Sequence, residues 1–182
     1  MKKYNVTIEG ISPLLMNRPS NLIGDISKER TQKEISPKDM AREKLYEIDG
    51  KLYQPETHIK GSLVEAGKTQ KVVGQGKATY SKIIGYAVEI NPFEIVHEKQ
   101  KWEVFSVLAV NPTTKGRNLL HRPMLKEWKL SFEVVFDEEQ ISPNVLKEIF
   151  DKAGKFVGIG DWRPAKKGRF GKYLVSLWKE SK

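Results

Sequence analysis

The chain has no cysteine. That removes disulfides, cysteine-ligated zinc and thiol catalysis together, and fits a reducing compartment, so a cytoplasmic setting is expected. No stretch approaches the roughly 18 uninterrupted apolar residues a membrane span requires. Met1-Lys2-Lys3 leads straight into a strand pattern without an apolar leader core, so neither a membrane nor a secretory route is expected. Histidine is scarce: His58, His97 and His121 stand far apart without ligand spacing, and no metal is expected. The Gly-x-Ser-x-Gly elbow and the P-loop ending are both missing. Gly158-x-Gly160 follows a helical pattern and not a strand, so it is no dinucleotide fingerprint. No residue set specifies an enzyme, and no cofactor is expected. There is no low-complexity tract and no repeat of fixed period.

What is present is charge and a core. Of 182 residues, 38% are hydrophobic and 30% charged, enough apolar surface to fold, and the formal net charge is +9. A basic chain of pI near 9.5 admits a polyanionic partner without requiring one. Apolar alternation predicts strands over residues 3–9, 83–90, 102–110, 128–136 and 172–178. Ser36-Pro37 and Ser142-Pro143 read as helix starts, the first helix running to about Tyr46. Another helix is expected from Thr57 to Gly67. Asp49-Gly50 suits a type I′ hairpin turn. Residues 14–35, 68–82 and 111–125 carry no sustained period and read as irregular insertions. Strands in runs with separate helices predict an α+β fold with a mainly antiparallel sheet, organised as one domain over residues 1–182. The closing strand–helix–glycine loop–strand order suggests half of a ferredoxin-like βαββαβ unit.

The positive charge is uneven. Residues 155–182 hold Lys155, Arg163, Lys166, Lys167, Arg169, Lys172, Lys179 and Lys182 against Asp161 and Glu180, most of the net charge. Glycines among them would let backbone amides approach phosphates, and Trp162, Phe170 and Tyr173 offer faces on which unpaired bases stack. The same segment also reads as a solvated tail with its aromatics tucked into a core. A second run, Lys60, Lys68, Lys71, Lys77 and Lys82 against Glu65, is by default a solvated face. Arg117, His121 and Arg122 mark the third irregular stretch, as loop contacts or plain surface.

Three motifs in order bear on that choice. They are Ile8-Glu9-Gly10-Ile11-Ser12-Pro13-Leu14; Tyr53-Gln54-Pro55-Glu56-Thr57-His58-Ile59-Lys60-Gly61-Ser62-Leu63-Val64; and the stretch from Phe156 through Gly158-Ile159-Gly160-Asp161-Trp162-Arg163 to Lys166-Lys167-Gly168-Arg169-Phe170-Gly171-Lys172. Together they resemble the RAMP superfamily, and in layout the backbone subunit of CRISPR effector complexes or a stand-alone viral or mobile-element relative. The resemblance implies a ferredoxin-like/RRM-type core with a thumb-like hairpin. It implies a subunit that polymerises along a guide-like single-stranded RNA, without strong sequence preference, beside other effector subunits.

On this resemblance the nucleic-acid-binding residues are Lys60, Gly61, Ser62, Gly158, Gly160, Trp162, Arg163, Lys166, Lys167, Gly168, Arg169, Phe170 and Lys172, with residues 14–35 lying near the strand; the charge pattern adds Lys68, Lys71, Arg117 and Arg122 as nucleic-acid-binding candidates. The motifs at Lys60 and Gly158 are expected to approach one another on one face of the sheet. Some relatives cleave target RNA with an aspartate in the loop after the first strand, where Asp25 stands here. Others use a histidine base, for which His58 or His121 is the candidate. A single-stranded DNA-binding or annealing protein of a mobile element, and an endoribonuclease, remain the alternatives.

Overall fold

The structure, a computed structural model, describes residues 1–19, 35–110, 113 and 115–181. In chain order the strands are β1 (Lys2–Gly10), β2 (Leu14–Leu15), β3 (Glu47–Ile48), β4 (Lys51–Pro55), β5 (Val88–Asn91), β6 (Glu94–Val96), β7 (Glu103–Val110), β8 (Arg117–Leu125), β9 (Lys129–Phe136) and β10 (Tyr173–Glu180). The helices are α1 (Pro37–Arg42), α2 (Glu56–Gly67), α3 (Tyr80–Ala87) and α4 (Pro143–Lys152). A π-helical turn, Ala153–Val157, follows α4.

Alternation builds the central sheet. Val6 and Ile8 on β1, and Leu130, Phe132 and Val134 on β9, bury one face while the residues between them turn outward. The four strands pair antiparallel in the order β10-β1-β9-β5, with a register shift between Thr7 and Ile8. Taken alone these strands follow the ferredoxin-like order, with α2 and α3 in the first connection and α4 in the second. The fold is therefore α+β and mainly antiparallel. On α4, Leu146, Ile149 and Phe150 form the buried stripe. The Phe150 ring stacks on Phe132 at 6.2 Å and meets Trp178 of β10 edge-on at 5.5 Å. Each such side chain contributes about 1.5–3 kcal/mol by burial.

Two smaller sheets flank this core, β2-β8-β7 and β3-β4-β6. Asp49 (φ 49°) and Gly50 (φ 73°) make the tight turn between β3 and β4, as the Asp-Gly pair predicts. Ser36 Oγ accepts the Asp39 amide at 3.1 Å and Ser142 Oγ accepts the Val145 amide at 3.4 Å, so both helix starts are capped as expected.

Four expectations are corrected. Residues 83–90 do not form one strand: Ile83, Ile84 and Ala87 are buried at helical spacing on α3, and only Val88 and Ile90 alternate as β5. Residues 117–125 are not irregular but form β8, registered on β7 from Glu103↔Met124 to Val110↔Arg117. Leu14–Leu15 is not loop either; it pairs with Leu125 and Met124, which buries both leucines. The first helix ends at Arg42, short of Tyr46. For β2 and β8 the register of a distant partner overrides a weak local pattern.

Candidate nucleic-acid interface

The glycine-rich loop is a braced wall. The Asp161 amide donates to the Leu15 carbonyl at 2.9 Å and the Gly171 amide to Pro13 at 2.8 Å, which straps the loop across β2. Within it, the Ile159 amide donates to Gly171 and the Gly168 amide to Arg163, both at 3.0 Å, and the Phe170 amide to Trp162 at 3.1 Å. The Lys172 amide donates to Ser12 Oγ at 2.9 Å. These amides are committed to internal bonds and are not turned toward a ligand. The glycines serve close packing: a Cβ on Gly160 (φ 77°) would stand 2.5 Å from the Leu15 carbonyl, and one on Gly158 (φ 70°) 2.8 Å from Pro164. Gly168 is pressed against the Trp162 carbonyl in the same way.

Opposite this wall runs α2, and the two enclose a cleft of about 250 Å³. His58, Gly61, Ser62 and Glu65 line it from the helix; Gly160, Arg163 and Lys166 line it from the loop. Gly61 differs from the loop glycines because a Cβ there would meet nothing within 4 Å. Ser62 Oγ donates to the Ile59 carbonyl at 2.8 Å and lies 3.1 Å from the Tyr173 hydroxyl, anchoring the floor. Burial pushes that tyrosine hydroxyl well up. His58 is hydrogen-bonded through Nδ1 to Gln54 and packs edge-on against Tyr46 at 5.2 Å. Burial first, and the Arg163 charge second, hold its pKa below the usual histidine value, so it is neutral at pH 7. Arg163 Nη1 donates to the Gly160 carbonyl at 3.0 Å, which aims a fixed cation at the cleft.

Of the residues singled out in the sequence, Gly61, Ser62, Gly160, Arg163 and Lys166 converge here. Lys60 is half-buried on α2 and is not among the lining residues. Lys68 pairs with Glu65 at 2.5 Å. Lys71 is exposed, bridged to Thr79 beyond the end of α2. Arg122 Nε donates to Asp161 Oδ2 at 3.1 Å, tying β8 to the loop. Arg117 lies at the far end of β8, paired in register with Val110. Lys167, in the left-handed region at φ 60°, and Arg169 are exposed beside the loop. Trp162 is 36% exposed, whereas Phe170, stacked beneath it at 6.5 Å, is buried and meets Phe105 edge-on at 5.2 Å. Phe170 thus belongs to the packing that supports Trp162. His121 is buried and bonded to Ser106 Oγ at 2.8 Å. Asp25 lies outside the described residues.

The sequence reading missed Thr57 and Glu65 as cleft residues. The signal was there: Thr57, Gly61 and Glu65 recur every four residues, one stripe of a helix.

The uncovered face of the sheet is different in character. Its outward residues on β1 and β9 include Lys3, Glu9, Lys129 and Glu133, neutralised in pairs: Lys129–Glu9 at 3.0 Å and Lys3–Glu133 at 3.8 Å. A broad groove of about 950 Å³ there has Phe93, Leu177, Glu94 and Glu133 in its lining, with no lysine or arginine. Neither β1 nor β9 turns an aromatic ring outward on this face, so it lacks the stacking platform of an RRM sheet.

No protein-family profile and no curated protein matches this sequence. Among solved structures, the chain matches one from a cryo-EM structure of the type III-B Cmr-beta bound to cognate target RNA, with TM-score 0.60 and 13% identity over 100% of this chain. This chain spans 61% of the length of that one. It also matches a chain of a type IV-B CRISPR complex, with TM-score 0.48 and 11% identity, over 96% of this chain and 89% of that chain. At such identities the first match is a likeness of fold.

Proposed function

We propose that this chain is a single-stranded RNA-binding backbone subunit of a CRISPR-like ribonucleoprotein, gripping the phosphate backbone without strong sequence preference. The observation that carries this reading is the cleft between α2 and the glycine-rich loop. It sets Arg163 and Lys166 opposite Gly61, the position where the helix presents no Cβ and packing does not demand glycine. A phosphodiester passing there meets Arg163 and Lys166 on one wall and, on the other, the bare backbone of Gly61 between Thr57 and Glu65, whose carboxylate is paired with Lys68. The fold likeness to a chain of an assembly bound to target RNA points the same way. The whole of residues 1–182 acts as one such domain in this reading, in the cytoplasm and beside other effector subunits. Copies polymerise along the strand, because one domain of this size spans only a few nucleotides and affinity for a long strand comes from repeated engagement.

Titration with matched RNA and DNA oligonucleotides at several salt concentrations tests this. RNA binding whose affinity falls steeply with salt supports it. Preference for the DNA strand would favour the annealing-protein alternative, and negligible binding of both at low salt would remove both readings. The endoribonuclease reading is tested by incubating labelled RNA with and without divalent metal, where Asp25→Ala should abolish any cleavage that depends on that residue.

A further inference from the structure

Beyond the cleft, three segments remote in sequence deliver cations to one ledge. Arg18 follows β2, whose end is held by the Met16 amide donating to the Pro123 carbonyl of β8 at 3.0 Å. The Arg18 amide then donates to the Lys44 carbonyl at 3.0 Å, binding this stretch to the turn after α1. Arg122 reaches the same place from β8, its side chain 16% exposed and oriented by Asp161. The Lys44 ammonium is held below its ordinary pKa by burial and then by the Arg122 charge, with Glu43 opposing. The Tyr46 hydroxyl is raised chiefly by burial, and the Arg18 charge works against that rise. Arg163, whose charge reaches His58, continues the cationic line into the cleft.

Gathering like charges costs energy that a polyanion laid across them would return. Asp161 and Glu43 lie among these cations; Asp161 holds Arg122 through Nε, and Nη1 of that guanidinium donates to the His121 carbonyl at 3.3 Å. We infer that Arg18, Lys44 and Arg122 form a second phosphate station, taking a phosphodiester of the same single strand whose backbone enters the cleft at Arg163. Arg18 and Lys44 belong to none of the sequence motifs. The inference rests on the strand-binding reading above and adds to it a path for the strand, from α2 over the loop to the β2–β8 edge.

The test compares salt-dependent binding of a short labelled uridine RNA by four proteins: wild type, R18Q/K44Q, R163Q/K166Q and K126Q, each checked for folding by circular dichroism. Lys126 is an exposed lysine paired with Glu103 at 2.9 Å and serves as the charge control. The station predicts weaker binding by R18Q/K44Q and a shallower dependence of log affinity on log salt, by about 0.7 for each phosphate no longer neutralised, with K126Q unchanged. Bound RNA should also protect Lys44, but not Lys126, from acetylation read by mass spectrometry. If R163Q/K166Q weakens binding while R18Q/K44Q keeps the wild-type slope and Lys44 stays reactive, the station is refuted and the cleft stands. Loss of strand binding by no variant, or none by wild type at low salt, removes cleft and station together. Protection of Lys44 by inorganic phosphate alone, equal to that by RNA, would refute a strand site in favour of a free-anion site.

Discussion

Gly61 and Gly160 face the same cleft for opposite physical reasons. Gly160 is required by a positive φ and by the Leu15 carbonyl at its back, so Gly160→Ala should cost about 1–3 kcal/mol and lower the melting temperature by several degrees. Gly61 sits mid-helix with open space around it, so Gly61→Ala should raise stability by about 0.5–1 kcal/mol while weakening oligonucleotide binding. Calorimetry paired with anisotropy checks this; a stabilised variant with unchanged affinity would show that no strand passes that point. His97 makes a pH-dependent case. It is 1% exposed, neither ring nitrogen has a hydrogen-bond partner among the described residues, and burial lowers its pKa to about 4. Its folded pKa lies below the unfolded value near 6.5, so the unfolded chain binds the proton first. Stability from this group is fully present above pH 6.5 and is lost as pH falls toward 4. The loss is on the order of 2 kcal/mol by pH 5. Urea midpoints measured between pH 7.5 and 5 should fall along that limb for wild type and flatten in His97→Leu.

At the scale of elements, α4 and α3 show what local signals decide. Ser142-Pro143 opens α4 just as cap chemistry dictates, and Ser142→Ala should cost about 1 kcal/mol in chemical unfolding without changing RNA affinity, since the cap lies off the cleft. A drop in affinity beyond the stability change would mean that α4 takes part in binding. Residues 83–90 misled because their apolar period changes midway, from helical at Ile83, Ile84 and Ala87 to alternating at Val88 and Ile90. A short window averages the two, and β-branched content tips it toward strand. For β8, Arg117 and Asn118 are exposed at the outer end of the hairpin, so burial alternates only from Leu120 inward. The first third of that strand carries no core pattern at all.

Across the whole molecule, the +9 charge is sorted by face. Cations concentrate at the loop and the β2–β8 ledge, while the open sheet presents neutralised pairs and carboxylates. Removing one positive charge should therefore matter by position. Arg163→Gln should reduce the salt slope of strand binding by about 0.7, whereas Lys3→Gln on the open face should leave it unchanged. Equal effects from both would mean that binding is diffuse and that the cleft has no privileged role. For assembly, sedimentation with strands of increasing length should give a stoichiometry that rises with length. A fixed one-to-one complex throughout would sink polymerisation and leave simple binding intact.

The sequence alone determined the α+β class, the capped starts of α1 and α4, the Asp49-Gly50 turn and the strands β1, β9 and β10, because each rests on a period or a turn chemistry carried by neighbouring residues. It also marked Gly61, Ser62, Gly160, Arg163 and Lys166, which the cleft brings together. Only the tertiary structure decided that the loop amides bond inward, that Phe170 supports Trp162 from beneath, and that Lys60 stays outside the cleft lining. Arg18 and Lys44 are joined by the Arg18 amide donating to the Lys44 carbonyl, and Arg122 is brought to the same edge because β2 pairs with β8. Such proximity arises from hydrogen bonds between strands far apart in the chain, and no local pattern of residues encodes it.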